Sequence, residues 1–429
     1  MSIKIKTIIP GPESSKILKA LEKKNGGWGV SYPFVHAIGK GKGAYFGDID
    51  GNMFLDFGSQ IASNPLGYNH PALVEIVKYY GKYAPMKYAG QDFVIEEHLG
   101  LIEELLAVSP RGMNAAFLVN SGAEAVENAI KIAMYRREKK KFTVSLNGAF
   151  HGRTLGALSL HHANPIHRKG FMRLPNRELP CDDSAGSVLR EIIRKNSAES
   201  VVCVILEHFQ GEGSYKVLSQ KMVRDLWKVC KRNKIPYVAD EVQSGMGRTG
   251  KWWAFQHYGI VPDVFSSAKA LQVGACVARK SFFPDVPGSI SSTWGGGSVI
   301  DLALGIRTIE VIKHDDLLKR NRIMGNYIRG NLRDMHGVNN VRGLGMMIAF
   351  DLVNKNIRDN VIIECVKRGL VVLGAGDSSI RVIPPYIIEK EDVDKGLEII
   401  EDAIRVCEKK GFKHIGHICR FLDCGESVS

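Results

Sequence analysis

Through the middle of the chain, short apolar runs recur between longer segments whose apolar positions repeat at helical spacing. AAFLV (115–119), FTVSL (142–146), VVCVILE (201–207), YVAD (237–240) and DVFSS (263–267) are the clearest runs. They read as strands buried on both faces. Their alternation with amphipathic segments from about residue 70 to 320 predicts an α/β unit, a largely parallel sheet with helices on both sides. Nearer the start, GAYFGDIDGNMFLDFGS alternates around Asp50-Gly51 and predicts a hairpin. DLALGIRTIEVIKHDDLLKRNRIMGNYIRGNLRDM (301–335) reads as one long helical pattern. After it, VRGLGMMIAFDLV, GLVVLG and IRVIPPYII predict strands of a smaller α+β unit, closed by a helix from about Glu391 to Lys409. The tail 411–429 has no assignment.

Composition narrows the class. At 429 residues the chain is long enough for two or three structural units and a deep cleft. No apolar run reaches the length of a membrane span, and MSIKIKTIIPG lacks the apolar core of a signal peptide, so a cytoplasmic protein is expected. The eight cysteines are scattered without a C-x-x-C pair, so neither a metal site nor a disulfide framework is expected. Net charge is +13, with clusters at Arg136–Lys141 and His167–Arg173, but no nucleic-acid recognition motif accompanies them. A basic surface that attracts anionic substrates fits better.

YVADEVQSGMGRTG (237–250) contains a literal G-x-G-x-x-G. A dinucleotide turn needs those glycines directly after the strand and a small-residue helix start after them. Here Glu241-Val242-Gln243-Ser244 intervene, and bulky KWWAFQHYG follows. The dinucleotide reading fails on context. Asp240 instead stands out, a carboxylate at the end of an apolar strand where open α/β sheets bind ligands; besides an internal ion pair or cap, it could be the counter-ion of a cationic ring nitrogen. Lys269, between Ala268 and Ala270 after another strand, could be a desolvated amine that captures an aldehyde, although most lysines are simply solvated. In LVNSGAEAVENAIKIAMYRR, Ser121 to Glu124 forms a capping box, and Val126, Ala129, Ile130 and Ala133 share one helical face. Such a turn into a helix binds anions, and with the other two groups it suits the phosphate of pyridoxal phosphate.

These residues together resemble the class III (omega) aminotransferases, fold-type I pyridoxal-phosphate enzymes, in order and spacing from about residue 27 to 405. DEVQSGMGRTG followed by PDVFSSAKAL carries the resemblance most specifically. It implies that residues 1–70 join the small domain, 71–320 form the large cofactor-binding domain, and 321–429 complete the small one. It also implies that Lys269 holds the cofactor and shuttles a proton, while Asp240 pairs with the ring nitrogen. Val242 would pack beneath the ring, Phe150 would stack above it, and Gln243 would bond its phenolic oxygen. Ser121, Gly122 and Ala123 would form the phosphate turn, and Thr293 would reach the phosphate from the partner subunit of a homodimer. Ala123 departs from the hydroxyl residue usual there, so a side-chain phosphate contact is missing.

Within the family, SQIASNPLGYNHPAL, APMKYAG and VVLGAGDSSIRVIPP look most like 4-aminobutyrate aminotransferases, with lysine 6-aminotransferases second and ornithine aminotransferases also related. Arg153 matches the clamp for a remote carboxylate. Arg381 matches the arginine for the α-carboxylate of 2-oxoglutarate, Glu212 the glutamate that neutralises it, and Ile61 a pocket-lining residue. His208 stands where the family usually has proline, and no iron–sulfur cluster is expected. Racemases built on the same cofactor site, and a non-catalytic binding protein, are the rival readings.

Overall fold

A computed structural model describes residues 1–27, 32–83, 87, 90, 92–292 and 294–409. The chain forms two compact units, Met1–His70 together with the chain from Arg322 onward, and Pro71–Asn321. Thr293 and the tail 411–429 lie outside the described residues.

The first unit opens with β1 (His36–Lys42), β2 (Tyr45–Asp48) and β3 (Met53–Asp56). The hairpin predicted at Asp50-Gly51 joins β2 to β3, with Gly47 opposite Met53. Gly51 sits at φ 84, where a Cβ is strained, and the Asp48 carboxylate accepts from the Asn52 amide at 2.7 Å to close the turn.

The second unit supplies β4 (Ala115–Val119), β5 (Phe142–Leu146), β6 (Asn176–Leu179), β7 (Val201–Leu206), β8 (Tyr237–Asp240), β9 (Val264–Ser267) and β10 (Gly274–Ala278). They form one seven-stranded sheet in the order β4-β10-β9-β8-β7-β5-β6. All the predicted runs became strands; β6 and β10 were not foreseen. β10 runs antiparallel to both β4 and β9, so the other six strands share one direction. Their carboxyl ends therefore lie along one edge. The helix Gly122–Tyr135 buries Val126, Ala129, Ile130 and Ala133 against Val202, Ile205, Val238 and Val264 in one core, which fixes the helix start beside that edge.

The predicted single helix over 301–335 is two, Val299–His314 and Leu317–Asp334. Asp316 breaks it at φ 45, a left-handed conformation that a short polar side chain tolerates.

In the first unit the chain continues with β11 (Asn339–Leu344), β12 (Met347–Asp351), β13 (Leu370–Val371), β14 (Leu373–Ala375) and β15 (Ser379–Val382). β13 pairs in parallel with β3, joining sequence-distant segments in one sheet. β11, β12, β15 and β14 make the second sheet. The predicted IRVIPPYII run (380–388) is strand only as far as Val382, the end of β15, because Pro384 and Pro385 have no amide to donate. The closing helix spans Lys390–Cys407. No helix among the described residues is long and apolar enough to cross a membrane.

Candidate active site

The carboxyl edge of the seven-stranded sheet collects most of the residues singled out from sequence. Each of β4, β5, β7, β8 and β9 ends there and turns into a segment bearing one or more of them. After β4, the Ser121 hydroxyl caps the helix by accepting from Glu124 N–H at 3.2 Å. Glu124 does not close a reciprocal box; its carboxylate accepts from Asn120 N–H at 2.7 Å, one residue earlier. Gly122 faces the segment after β8: a Cβ there would lie 2.8 Å from Val242 Cγ1 and 3.4 Å from Ala268 Cβ. The phosphate-turn candidate, Val242 and the residue before Lys269 thus share one small space.

Asp240 is buried at the end of β8, and its charge is met from two sides. Its Oδ1 accepts from Val242 N–H at 3.0 Å, and its Oδ2 lies 2.7 Å from His151 Nδ1. Burial lowers the proton affinity of His151, but the bond to Asp240 and the charges of Asp240 and Glu207 outweigh it, so the imidazole holds its proton more tightly than usual. Glu207, at the end of β7, accepts from the amides of Phe150 at 2.9 Å and Gly211 at 2.8 Å. It ties the segment carrying Phe150 to the loop carrying Glu212. Burial pushes its pKa up to about 7, with His151 opposing. Neither His151 nor Glu207 was singled out from sequence. Glu207 carries the same signal as Asp240, a carboxylate ending an apolar strand, and His151 follows Phe150 directly.

Lys269 adopts φ 51 just past β9, a left-handed backbone that side chains rarely take. Gln243 lies close to Gly211, whose added Cβ would meet its Oε1 at 2.8 Å, and that buried oxygen has no hydrogen-bond partner. Ala123 packs against Gly152 of the turn after β5, where a Cβ would be only 2.8 Å away.

Arg153 leaves that turn exposed to solvent. Its guanidinium lies 5.9 Å from the centroid of the Phe150 ring and 3.2 Å from His167 Nε2. Glu212 is near enough to raise the proton affinity of His167, which burial and Arg153 lower. Arg381 and Ile61 belong to the first unit. Arg381 is buried in β15, opposite Ala349 and Leu373. Ile61 lies in a turn, Ser59–Ala62, whose four residues all have positive φ. Ile61 itself is at φ 57, ψ 46, close to an ideal left-handed helix.

The glycine pattern that resembled a nucleotide fingerprint has a packing cause. A Cβ on Gly245 would meet the Trp253 ring at 2.8 Å, and Gly247 and Gly250 sit at φ 88 and 83. Glu241, for which sequence offered no role, anchors this loop from beneath. Its carboxylate accepts from the Ser244 hydroxyl at 2.7 Å and from the amides of Ala254 and Phe255, both at 2.9 Å. His208, in the place usual for proline, is buried; its Nε2 lies 3.1 Å from the Tyr237 hydroxyl, and burial brings its pKa down to about 3. It stays a neutral packing residue.

Comparison with known proteins identifies the family. The family model for class-III aminotransferases matches residues 29–404. An acetylornithine aminotransferase of Caldanaerobacter subterraneus is 32% identical over 389 residues, covering 87% of this chain and 95% of that protein. The human mitochondrial 4-aminobutyrate aminotransferase is 29% identical over 464 residues, covering 93% and 90%. Among solved structures, a lysine aminotransferase from M. tuberculosis superposes with a TM-score of 0.86 at 26% identity, covering 92% of this chain and 99% of that one. The chain belongs to the class-III aminotransferases, has the fold-type I architecture, and uses pyridoxal phosphate. The residues present fit that group. The cradle at Gly122 admits no side chain, Asp240 offers a buried carboxylate, and Gln243 presents an unpartnered buried oxygen.

Proposed function

We propose that this class-III aminotransferase moves the ω-amino group of 4-aminobutyrate to 2-oxoglutarate, giving succinic semialdehyde and glutamate. The observation that carries this reading is the placement of Arg153. It stands beside Phe150 and within the electrostatic reach of Glu212, on the sheet edge where Asp240 and Lys269 emerge. A clamp for a carboxylate at that place selects donors whose charge lies far from the transferred amine.

Bound pyridoxal phosphate supplies an aldehyde to capture the amine and an electron-withdrawing ring. The chain supplies everything around it. The Lys269 amine takes the proton from the donor carbon and returns it. Asp240, oriented by His151, would hold the ring nitrogen protonated. Val242 and Phe150 would cover the two faces, Gln243 would bond the phenolic oxygen, and Ser121, Gly122 and Ala123 would receive the phosphate. Arg153 binds the donor carboxylate and Ile61 bears on chain length. By the family pattern Arg381 is the candidate for the α-carboxylate of 2-oxoglutarate, and Glu212 is the candidate acid that would balance that arginine's charge. The large domain over 71–320 carries the cofactor, and the flanking segments form the small domain. We further propose a homodimer in which Thr293 crosses to the partner's phosphate site. A cytoplasmic setting is supported by the free thiols of Cys181, Cys203, Cys230, Cys276, Cys365 and Cys407.

A second reading, acetylornithine as donor, is favoured by relatives with that activity at 32–33% identity. Both donors carry a carboxylate remote from the transferred amine. The deciding experiment measures glutamate formation from 2-oxoglutarate with 4-aminobutyrate, N-acetylornithine, lysine and ornithine in turn. The proposal expects 4-aminobutyrate to have the highest kcat/KM and Lys269→Ala to abolish turnover. A preference for N-acetylornithine sinks the first reading in favour of the second.

A further inference from the structure

Beside the proposed carboxylate clamp, the second unit holds a chain of nitrogen contacts that none of the roles above uses. Arg153 Nη2 lies 3.2 Å from His167 Nε2, and His167 Nδ1 lies 3.1 Å from His161 Nε2. The same His161 Nε2 accepts from the backbone amide of Asn164, also at 3.1 Å. The proton positions follow from chemistry alone. A guanidinium only donates, so His167 Nε2 must be bare and its proton must sit on Nδ1. That proton shares the single lone pair of His161 Nε2 with the Asn164 amide, so His161 carries its own proton on Nδ1. His161 Nδ1 is buried without a hydrogen-bond partner. Both rings are therefore neutral, each in one fixed tautomer.

The pair also encloses Phe150. His161 meets that ring edge-on at 4.9 Å between centroids and His167 at 6.4 Å, while Arg153 lies over it at 5.9 Å. The electrostatics agree. Burial, the largest cause, brings the pKa of His161 down to about 4, with the Arg168 charge acting in the same direction. Burial and Arg153 likewise lower His167.

We propose that His167, held by His161, is the positioning residue of the carboxylate clamp. It accepts one N–H of Arg153 and so aims the guanidinium at the ω-substrate's carboxylate. The inference rests on the proposed role of Arg153. Its consequence is selectivity, because a pre-aimed fork matters only to a donor that carries a carboxylate.

The test uses the holoenzyme and two donors that differ only in that group, 4-aminobutyrate and n-butylamine. For His167→Ala the expected result is a rise of about tenfold in KM for 4-aminobutyrate, with kcat nearly unchanged and n-butylamine unaffected, the size of losing one charge-assisted hydrogen bond. His167→Gln keeps an acceptor for Arg153 and a donor for His161, and should restore most of the loss. Equal effects on both donors, no effect on either, or no rescue by glutamine overturns the proposal. A second measurement needs no turnover. Imidazole ¹⁵N spectra at neutral pH, assigned with single histidine variants, should show His161 and His167 neutral and bare at Nε2. An imidazolium at either ring refutes the arrangement. If 4-aminobutyrate proves not to be a donor, those spectra still decide the hydrogen-bond chain independently.

Discussion

Replacing Glu241 by Gln tests whether a buried carboxylate beneath the Gly245–Gly250 loop weakens the fold as pH rises. Glu241 is fully buried, and burial pushes its pKa from 4.5 up to about 7 despite three hydrogen bonds donated to it. The folded state thus holds the proton more tightly than the unfolded chain. Its contribution to stability is complete below the unfolded value and is lost as pH rises through about 7. At about 1.4 kcal/mol per unit, the wild type should lose roughly 2.5 kcal/mol from this one group between about pH 5 and pH 8. Glutamine does not titrate, but its NH2 faces a backbone N–H that a carboxylate oxygen accepted, so one hydrogen bond is lost at every pH. The variant should start about 1–3 kcal/mol below the wild type at acid pH, and the difference should move in its favour by about 2.5 kcal/mol between about pH 5 and pH 8. Glu207 and His161 titrate in both proteins and cancel from the difference. Urea unfolding followed by tryptophan fluorescence is the assay, since Trp253 is buried against this loop with its indole N–H bonded to Val108 O at 2.9 Å. A wild-type minus variant difference that stays constant with pH would refute the reasoning. It would mean that the three donors keep Glu241 ionised at no cost.

Two further perturbations address the site and the strained turn. Gly122→Ala forces its Cβ to within 2.8 Å of Val242 Cγ1, so cofactor affinity, read by absorbance on dilution, should fall about tenfold. Adding Val242→Ala should recover it, and a failure to recover would separate Gly122 from the ring-face packing. Ile61→Gly removes a β-branched residue from φ 57 while sacrificing a side chain that is 46% exposed, so urea unfolding should show a gain of about 1 kcal/mol. A loss of stability would mean that the left-handed turn is not the costly feature.

The chain's local patterns determined its elements and marked the residues of its candidate site. Short runs of four to seven residues, rich in apolar and small side chains, became strands β4, β5, β7, β8 and β9 because such runs can bury both faces. Asp240 and Lys269 were legible because charged groups at the ends of apolar strands are rare enough to carry information. The break at Asp315-Asp316 was missed because helical periodicity runs through it, and β10 because a short GACVA segment has no periodicity of its own. What only the tertiary structure decided is how distant positions meet. His151 reaches Asp240 across 89 residues of chain, and Glu207 reaches Phe150 across 57. Glu241 acquired a role only when the loop folded back to place the amides of Ala254 and Phe255 on its carboxylate. The tautomers of His161 and His167 follow from donors that converge in space, and the left-handed turn at Ile61 opposes the local preference of its residues. Periodicity and residue chemistry are properties of neighbours along the chain. Proton placement, cradle depth and strain depend on which groups packing brings within about 3 Å of each other, and packing is decided by the whole fold.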